Sequence, residues 1–327
     1  MSAEGGSKAV VAALTANGFI AVCKFAGWLL TGSSSMLAEA IHSVADCGNQ
    51  VLLLVGGKRS TRDATEEHPF GYGRERYVFA FLVSVILFSV GGLFALYEAY
   101  HKWHDTHAGL PNELSASRWW WVPLVILVAA IIAEAMSFRT AILESNKTRG
   151  RQSWGRFVKT AKAPELPVIL LEDTAALLGL VFALFGVGMT LITHNGLFDV
   201  IGTGLIGLLL VAVAVILAWE TKSLLLGEAA KPEVIEHVRA AIEDTDSVQR
   251  VIHLKTLHLC PEEVLVAAKI AVDPVATAQE VADLINRAEA NIRSAEPIVT
   301  ALYLEPDIFV EDYTPAARPD RPSAPSH

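Results

Sequence analysis

Cysteine is scarce in this chain. Three occur in 327 residues, Cys23, Cys47 and Cys260, and no two stand at CxxC spacing. That excludes a disulfide framework and a thiolate zinc cluster. Basic residues are in deficit as well: 26 Lys and Arg face 35 Asp and Glu, for a net charge of −9. A nucleic-acid binder shows a basic patch or a high pI, whereas the pI here is about 5.6, so nucleic acid is not expected as a partner. No HExxH run is present, which argues against a zinc hydrolase. The opening residues Met1 to Lys8 are short and polar, and the first apolar run outlasts a signal-peptide core. No cleavable signal peptide is expected.

What the chain does have is apolar length. Its hydrophobic fraction, 52%, is one that soluble proteins share, so the arrangement decides. Apolar residues are concentrated before Glu220, in runs long enough for a bilayer, which takes about 20 residues as a helix. Backbone polar groups in lipid must be satisfied internally, so these runs are helical. A transmembrane β-barrel is excluded, because its strands are short and alternate in polarity. Six spans are read at residues 9–30, 36–56, 77–100, 119–138, 166–192 and 200–219.

Loop charge sets the expected orientation. Lys58, Arg59, Arg62, Arg74 and Arg76 lie between the second and third spans, and Arg139, Lys147, Arg149, Arg151, Arg156, Lys159 and Lys162 between the fourth and fifth. The opposite loops are poor in Lys and Arg. The positive-inside rule then puts the basic loops and both termini in the cytoplasm of a multi-pass protein, with the plasma (inner) membrane as the expected location. Trp119, Trp120 and Trp121 fit an aromatic belt at the outer interface.

After Lys222 the character changes. Residues 232–243 and 278–295 have helical periodicity, and residues 248–259, 264–272 and 298–304 are rich in Val, Ile and Leu and read as strands. The α-β-β-α-β order implies a small α+β domain with a sheet backed by helices. The expected divisions are a membrane domain over 1–228, the α+β domain over 229–308, and a disordered tail over 309–327, rich in Pro, Ala, Ser and Arg.

Two spans carry ionisable residues that an anchor would avoid. In the second, His42 and Asp46 are four apart and share one helix face. Imidazole plus carboxylate is a ligand pair suited to zinc and its neighbours. Ionisable groups at membrane depth are costly and mark ion pathways by default. The plainer alternative is a buried His–Asp pair that only joins helices. In the fifth span, Glu172 and Asp173 are adjacent and project about 100° apart. One is expected as a ligand and the other as an outer partner or proton carrier. The alternative is a span that starts later and leaves both at the interface. Asn17, Lys24, Glu98 and Glu134 read as helix contacts or snorkelling groups. Asp199 reads as an acid favoured at the N-terminus of its own helix, and His101, His104 and His107 as residues of a solvated outer loop.

These residues resemble a known family. Thr31-Gly32-Ser33-Ser34-Ser35-Met36-Leu37-Ala38-Glu39-Ala40 leads into His42-x-x-x-Asp46, and His68-Pro69-Phe70-Gly71-Tyr72-Gly73-Arg74-Glu75 follows the second span. Together and in this order they resemble the cation diffusion facilitator family of metal transporters. The Glu-x-Thr-Ala pattern at Glu172 is similar to the branch that contains zinc transporter nine. The resemblance implies six transmembrane helices, a cytoplasmic ferredoxin-like domain and a homodimer. It also implies one tetrahedral metal site built from residue pairs of the second and fifth helices. His42 and Asp46 are thereby assigned as ligands. Gly179, taken as register mark, makes Asp173 the fifth-helix aspartate.

The chain departs from the family's pattern in three places. The partner of Asp173 would be Ile169, which cannot bind metal; Asp173 is then expected as a direct ligand, and Glu172, the candidate replacement, is expected to act through a water or as a proton acceptor. Tyr72 stands where a loop metal site would have a second histidine after His68. In the α+β domain only His253 and Glu305 stand near places of a binuclear site, with Tyr303 where a histidine would be.

The expected function is a secondary transporter and not an enzyme: a cation/proton antiporter exporting a divalent transition metal, zinc first. Metal is cargo here, and no cofactor is implied. The expected partners are the lipid bilayer, the divalent ion, protons and a second copy of the chain. Carboxylate-rich ligation leaves manganese or ferrous iron open. The rival reading is a metal-sensing or scaffold membrane protein that does not transport.

Overall fold

Long apolar runs become long helices in the N-terminal unit, and polar punctuation sets their ends. The computed structural model describes residues 3–109, 114 and 117–311. The tail expected to be disordered lies, from 312 onward, outside the described residues. The chain divides into two compact units with the boundary after Glu228.

In the first unit α1 spans Ala3–Thr31, α2 Ser34–Ser60, α3 Glu75–His107, α4 Val122–Arg149, a short α5 Trp154–Thr160, α6 Glu165–Thr193 and α7 Leu197–Leu226. Among the described residues four helices are long and apolar enough to cross a membrane: α3, α4, α6 and α7. The expectation was six. For α1 the apolar part so measured is Asn17–Thr31. α2 is as long as the rest, but Glu39, His42, Asp46, Asn49, Gln50, Lys58 and Arg59 lower its hydropathy.

Several ends differ from expectation. α3 runs on to His107, so His101, His104 and His107 sit on a helix and not in a loop. Contacts one turn apart sustain it there: His101 Nδ1 is 3.6 Å from Asp105 Oδ2, and the Trp103 and His107 rings lie 4.4 Å apart. α4 continues to Arg149, so half of the basic loop is helical; Pro123 in its first turn follows the exposed tryptophans of the preceding turn.

Close helix packing depends on small residues. Within α3 a π-helical stretch, Leu87–Leu93, brings Gly91 and Gly92 against α7. A Cβ on Gly92 would come within 2.7 Å of Val211 Cγ2 and 3.1 Å of its backbone nitrogen. Gly179 and Gly186 of α6 are seven residues apart; a Cβ on Gly179 would meet Glu39 Oε1 of α2 at 2.6 Å, and one on Gly186 would meet Phe198 O of α7 at 3.0 Å and Ser35 Oγ of α2 at 3.2 Å. α2 and α6 are therefore antiparallel neighbours in close approach. The apolar core around them includes Met36, Leu87, Leu127, Val168, Leu180, Ile206 and Leu210.

The second unit follows the expected order closely: α8 Pro232–Glu243, β1 Arg250–Cys260, β2 Glu263–Ala271, α9 Ala278–Ala295 and β3 Val299–Asp307. The sheet order is β1-β2-β3, with β2 and β3 parallel across the α9 crossover, in register from Leu265 opposite Ala301. A two-residue connection joins β1 to β2, which only antiparallel neighbours allow. Thr277 caps α9 in a reciprocal box with Glu280, and those hydrogen bonds hold the Glu280 carboxyl below its ordinary value. Val238, Ile242, Val266, Ile270, Leu284 and Ile292 fill the core between helices and sheet.

Candidate metal centre

Glu39, His42, Ser43, Asp46, Asn49 and Gln50 recur at helical spacing, so they form one polar stripe along α2. The helix is anchored at its start. Ser33 is the N-cap, its hydroxyl accepting from Met36 N at 3.3 Å. α2 has no acidic residue in its first turn. Asp199 of α7 supplies the charge instead. Its carboxylate accepts from Ser33 Oγ at 3.0 Å, Ser34 N at 2.9 Å, Ser34 Oγ at 3.1 Å and Ser35 N at 3.3 Å. Asp199 thus serves the α2 N-terminus as well as its own helix. The sequence clue was an unbroken Ser33-Ser34-Ser35 run with no acid beside it.

Deeper along the stripe lies His42, buried, with Nε2 3.6 Å from Asp46 Oδ2. Neither ring nitrogen of His42 has a hydrogen-bond partner, nor has Asp46 Oδ1. Buried polar atoms of this kind are rare and call for an explanation. One turn further, Asn49 Nδ2 donates to Glu172 Oε1 of α6 at 2.6 Å. Glu172 shares its α6 face with Gly179 and Gly186, the face packed on α2. Asp173 projects off it, and its Oδ2 accepts from Ser137 Oγ of α4 at 3.2 Å.

The four residues singled out in the sequence are thus gathered between α2, α4 and α6 without being drawn onto one point. Among the described residues no three His, Cys, Asp or Glu side chains stand close enough to hold one ion. Glu134 of α4, read as a helix contact, is buried, on the helix whose Ser137 holds Asp173. Its mid-span position was the signal, the same one that marked His42. Lys24, read likewise, is fully buried and donates to Glu39 Oε2 at 2.9 Å and Ser43 Oγ at 2.8 Å. Several carboxyl groups and one imidazole, once deprotonated, supply oxygen and nitrogen donors suited to a hard or borderline divalent cation.

Elsewhere the departures from the family pattern hold their own contacts. The His68 and Tyr72 rings pack edge to face at 4.6 Å, and the Arg62 guanidinium lies 4.4 Å over Tyr72. In the second unit Glu305 is 2.9 Å from Lys269 Nζ, while His253 and Tyr303 are exposed.

Comparison with known proteins gives a consistent picture. The profile described as "Cation efflux transmembrane domain" matches residues 10–226, and "Cation efflux protein, cytoplasmic domain" matches residues 230–306. The human "Proton-coupled zinc antiporter SLC30A9, mitochondrial" is 32% identical over 83% of this chain and 46% of that protein. "Metal tolerance protein C4" of Arabidopsis thaliana is 29% identical over 79% of this chain and 54% of its own length. "Manganese efflux system protein MneP" of Bacillus subtilis is 24% identical over 75% and 76%. The chain spans about half the length of the first two.

Proposed function

The chain belongs to the cation diffusion facilitator family, and from that premise we propose that it exports a divalent transition-metal cation, zinc first, in exchange for protons. The observation that carries the reading is the His42–Asp46 pair of α2, with His42 buried and both of its ring nitrogens and Asp46 Oδ1 lacking hydrogen-bond partners, one turn from the Asn49–Glu172 contact between α2 and α6. We place α1, α2, α3, α4, α6 and α7 across the membrane, with both termini in the cytoplasm. A second copy of the chain completes a homodimer.

His42, Asp46 and one of the two α6 carboxylates, Glu172 or Asp173, bind the ion directly, and the other acts on it indirectly. Expectation from sequence alone gave Asp173 the direct bond and Glu172 an indirect one. The side-chain directions support the reverse, since Glu172 faces α2 and Asp173 faces Ser137. Ligands must lose protons to hold metal, so proton entry on the far side displaces the ion. Zinc is supported by the human relative's name and manganese by that of the Bacillus relative; the donor set admits both. The plasma (inner) membrane stays our location for the chain, although the human relative is named as mitochondrial.

Reconstituted vesicles test the reading. Zinc should enter or leave against an imposed proton gradient, and His42→Ala or Asp46→Ala should abolish flux in protein that stays folded and dimeric. Undiminished flux in either variant would refute the assignment. Ile169, standing where the fifth-helix pair would have its second ligand, favours one other reading, a metal-sensing membrane protein without transport. Zinc binding without flux in the parent protein would select it.

A further inference from the structure

The polar stripe of α2 does not end at His42. Glu39 stands three residues before it on the same face, toward the Ser33 end of the helix, completely buried. Its Oε2 accepts from Lys24 Nζ of α1 at 2.9 Å, and that ammonium also reaches Ser43 Oγ at 2.8 Å. Its Oε1 has no hydrogen-bond partner and lies so near α6 that a Cβ on Gly179 would come within 2.6 Å. The carboxylate therefore sits in the seam between α2 and α6, the seam that also holds Glu172.

A buried ion pair is a poor way to join two helices. Its desolvation cost offsets much of its attraction, and Ser or Thr would join α1 to α2 more cheaply. A charged pair is more readily explained where a cation must be received. An ammonium beside a carboxylate and a hydroxyl is itself a cation in an oxygen-lined site. An ion leaving His42 and Asp46 toward the Ser33 end meets Glu39 about 4.5 Å further along the helix axis.

We propose that Glu39 is a further cation-binding residue of the transport path, and that Lys24 is the tethered cation that holds its carboxylate when no metal ion is beside it. The inference rests on the metal-transport reading above. A divalent ion carries twice the charge of the ammonium, so it draws the carboxylate away, while Lys24 keeps the Ser43 hydroxyl. When the ion moves on, Lys24 takes the carboxylate back and disfavours return.

The test compares the parent protein with Lys24→Met and with Lys24→Met/Glu39→Gln, a pair of near-isosteric neutral replacements, with zinc as the probe. Removal of the tethered cation alone should raise zinc affinity at least tenfold by calorimetry, or add a second ion per chain. The double variant should return to parent affinity, because His42 and Asp46 are untouched, yet lose at least tenfold in vesicle flux. No gain of binding in folded Lys24→Met, or parent-level flux in the double variant, overturns the proposal. Should Lys24→Met fail to fold, with Glu39 left unpaired, the double variant decides through flux. If the parent itself shows no flux, the transport reading fails, and the affinity comparison still decides the role of Glu39.

Discussion

Asn49 of α2 donates a 2.6 Å hydrogen bond to Glu172 of α6, across 123 residues of sequence. The bond fixes the register of two antiparallel helices and turns a carboxylate toward the seam that contains His42 and Asp46. It also occupies Glu172 with a donor that a metal ion would have to replace.

Asn49→Ala tests what that bond contributes. Removing the donor leaves Glu172 buried without its partner, at a cost of about 1–3 kcal/mol. Thermal unfolding in detergent should show that loss, while zinc affinity stays within about threefold of the parent, since no ligand is removed. An affinity loss beyond tenfold, about 1.4 kcal/mol, would make Asn49 itself a ligand.

Asp199 makes a second cross-helix anchor. Its carboxylate satisfies four donors at the α2 N-terminus, all buried. Asp199→Ala orphans them, and the expected loss of stability is on the order of 3 kcal/mol. Asp199→Asn, which keeps one acceptor oxygen, should lose less. Equal melting temperatures for Asp199→Ala and the parent would show that water replaces the carboxylate.

The second unit was legible almost residue by residue. Its helices are strongly amphipathic, and its strands are dense in Val, Ile and Leu. The helix centres of the first unit were equally plain, and so was the His42–Asp46 face. Helix ends were not, because Arg139, Lys147 and Arg149 are as compatible with a helix extending from the membrane as with a loop. The partnerships of Lys24 with Glu39 and of Asp199 with Ser33 were hidden for another reason. Each joins residues of different helices, and a single sequence shows that a charge is buried without showing what answers it. The side that Glu172 faces could be decided only once Gly179 and Gly186 were seen against α2.

Gly92 makes a packing prediction away from the metal centre. A methyl group there meets Val211 Cγ2 at 2.7 Å and the Val211 backbone nitrogen at 3.1 Å. The side chain can rotate away but the backbone cannot. Gly92→Ala should therefore cost about 1–3 kcal/mol through overpacking, read as a lower unfolding temperature with unchanged zinc stoichiometry. A parent-like melting curve would mean that the π-helical stretch relaxes to make room.

The division of labour between Glu172 and Asp173 is the sharpest prediction. Adjacent helical residues point about 100° apart, so one ion between α2 and α6 meets only one of them directly. Glu172 lies on the face that carries Gly179 and Gly186, while Asp173 is bonded to Ser137 of α4. Glu172→Gln removes a charge from the seam, and zinc affinity should fall at least tenfold. Asp173→Asn alters a side chain that faces α4 and not α2, and should cost less affinity while slowing flux and changing its pH dependence. Ser137→Ala separates position from charge: it frees Asp173 without neutralising it, and should leave affinity nearly unchanged. Calorimetry and vesicle flux on the three variants decide the matter. If Asp173→Asn loses affinity as severely as Glu172→Gln, both carboxylates bind the ion, and α6 must turn or distort between the metal-free and metal-bound states.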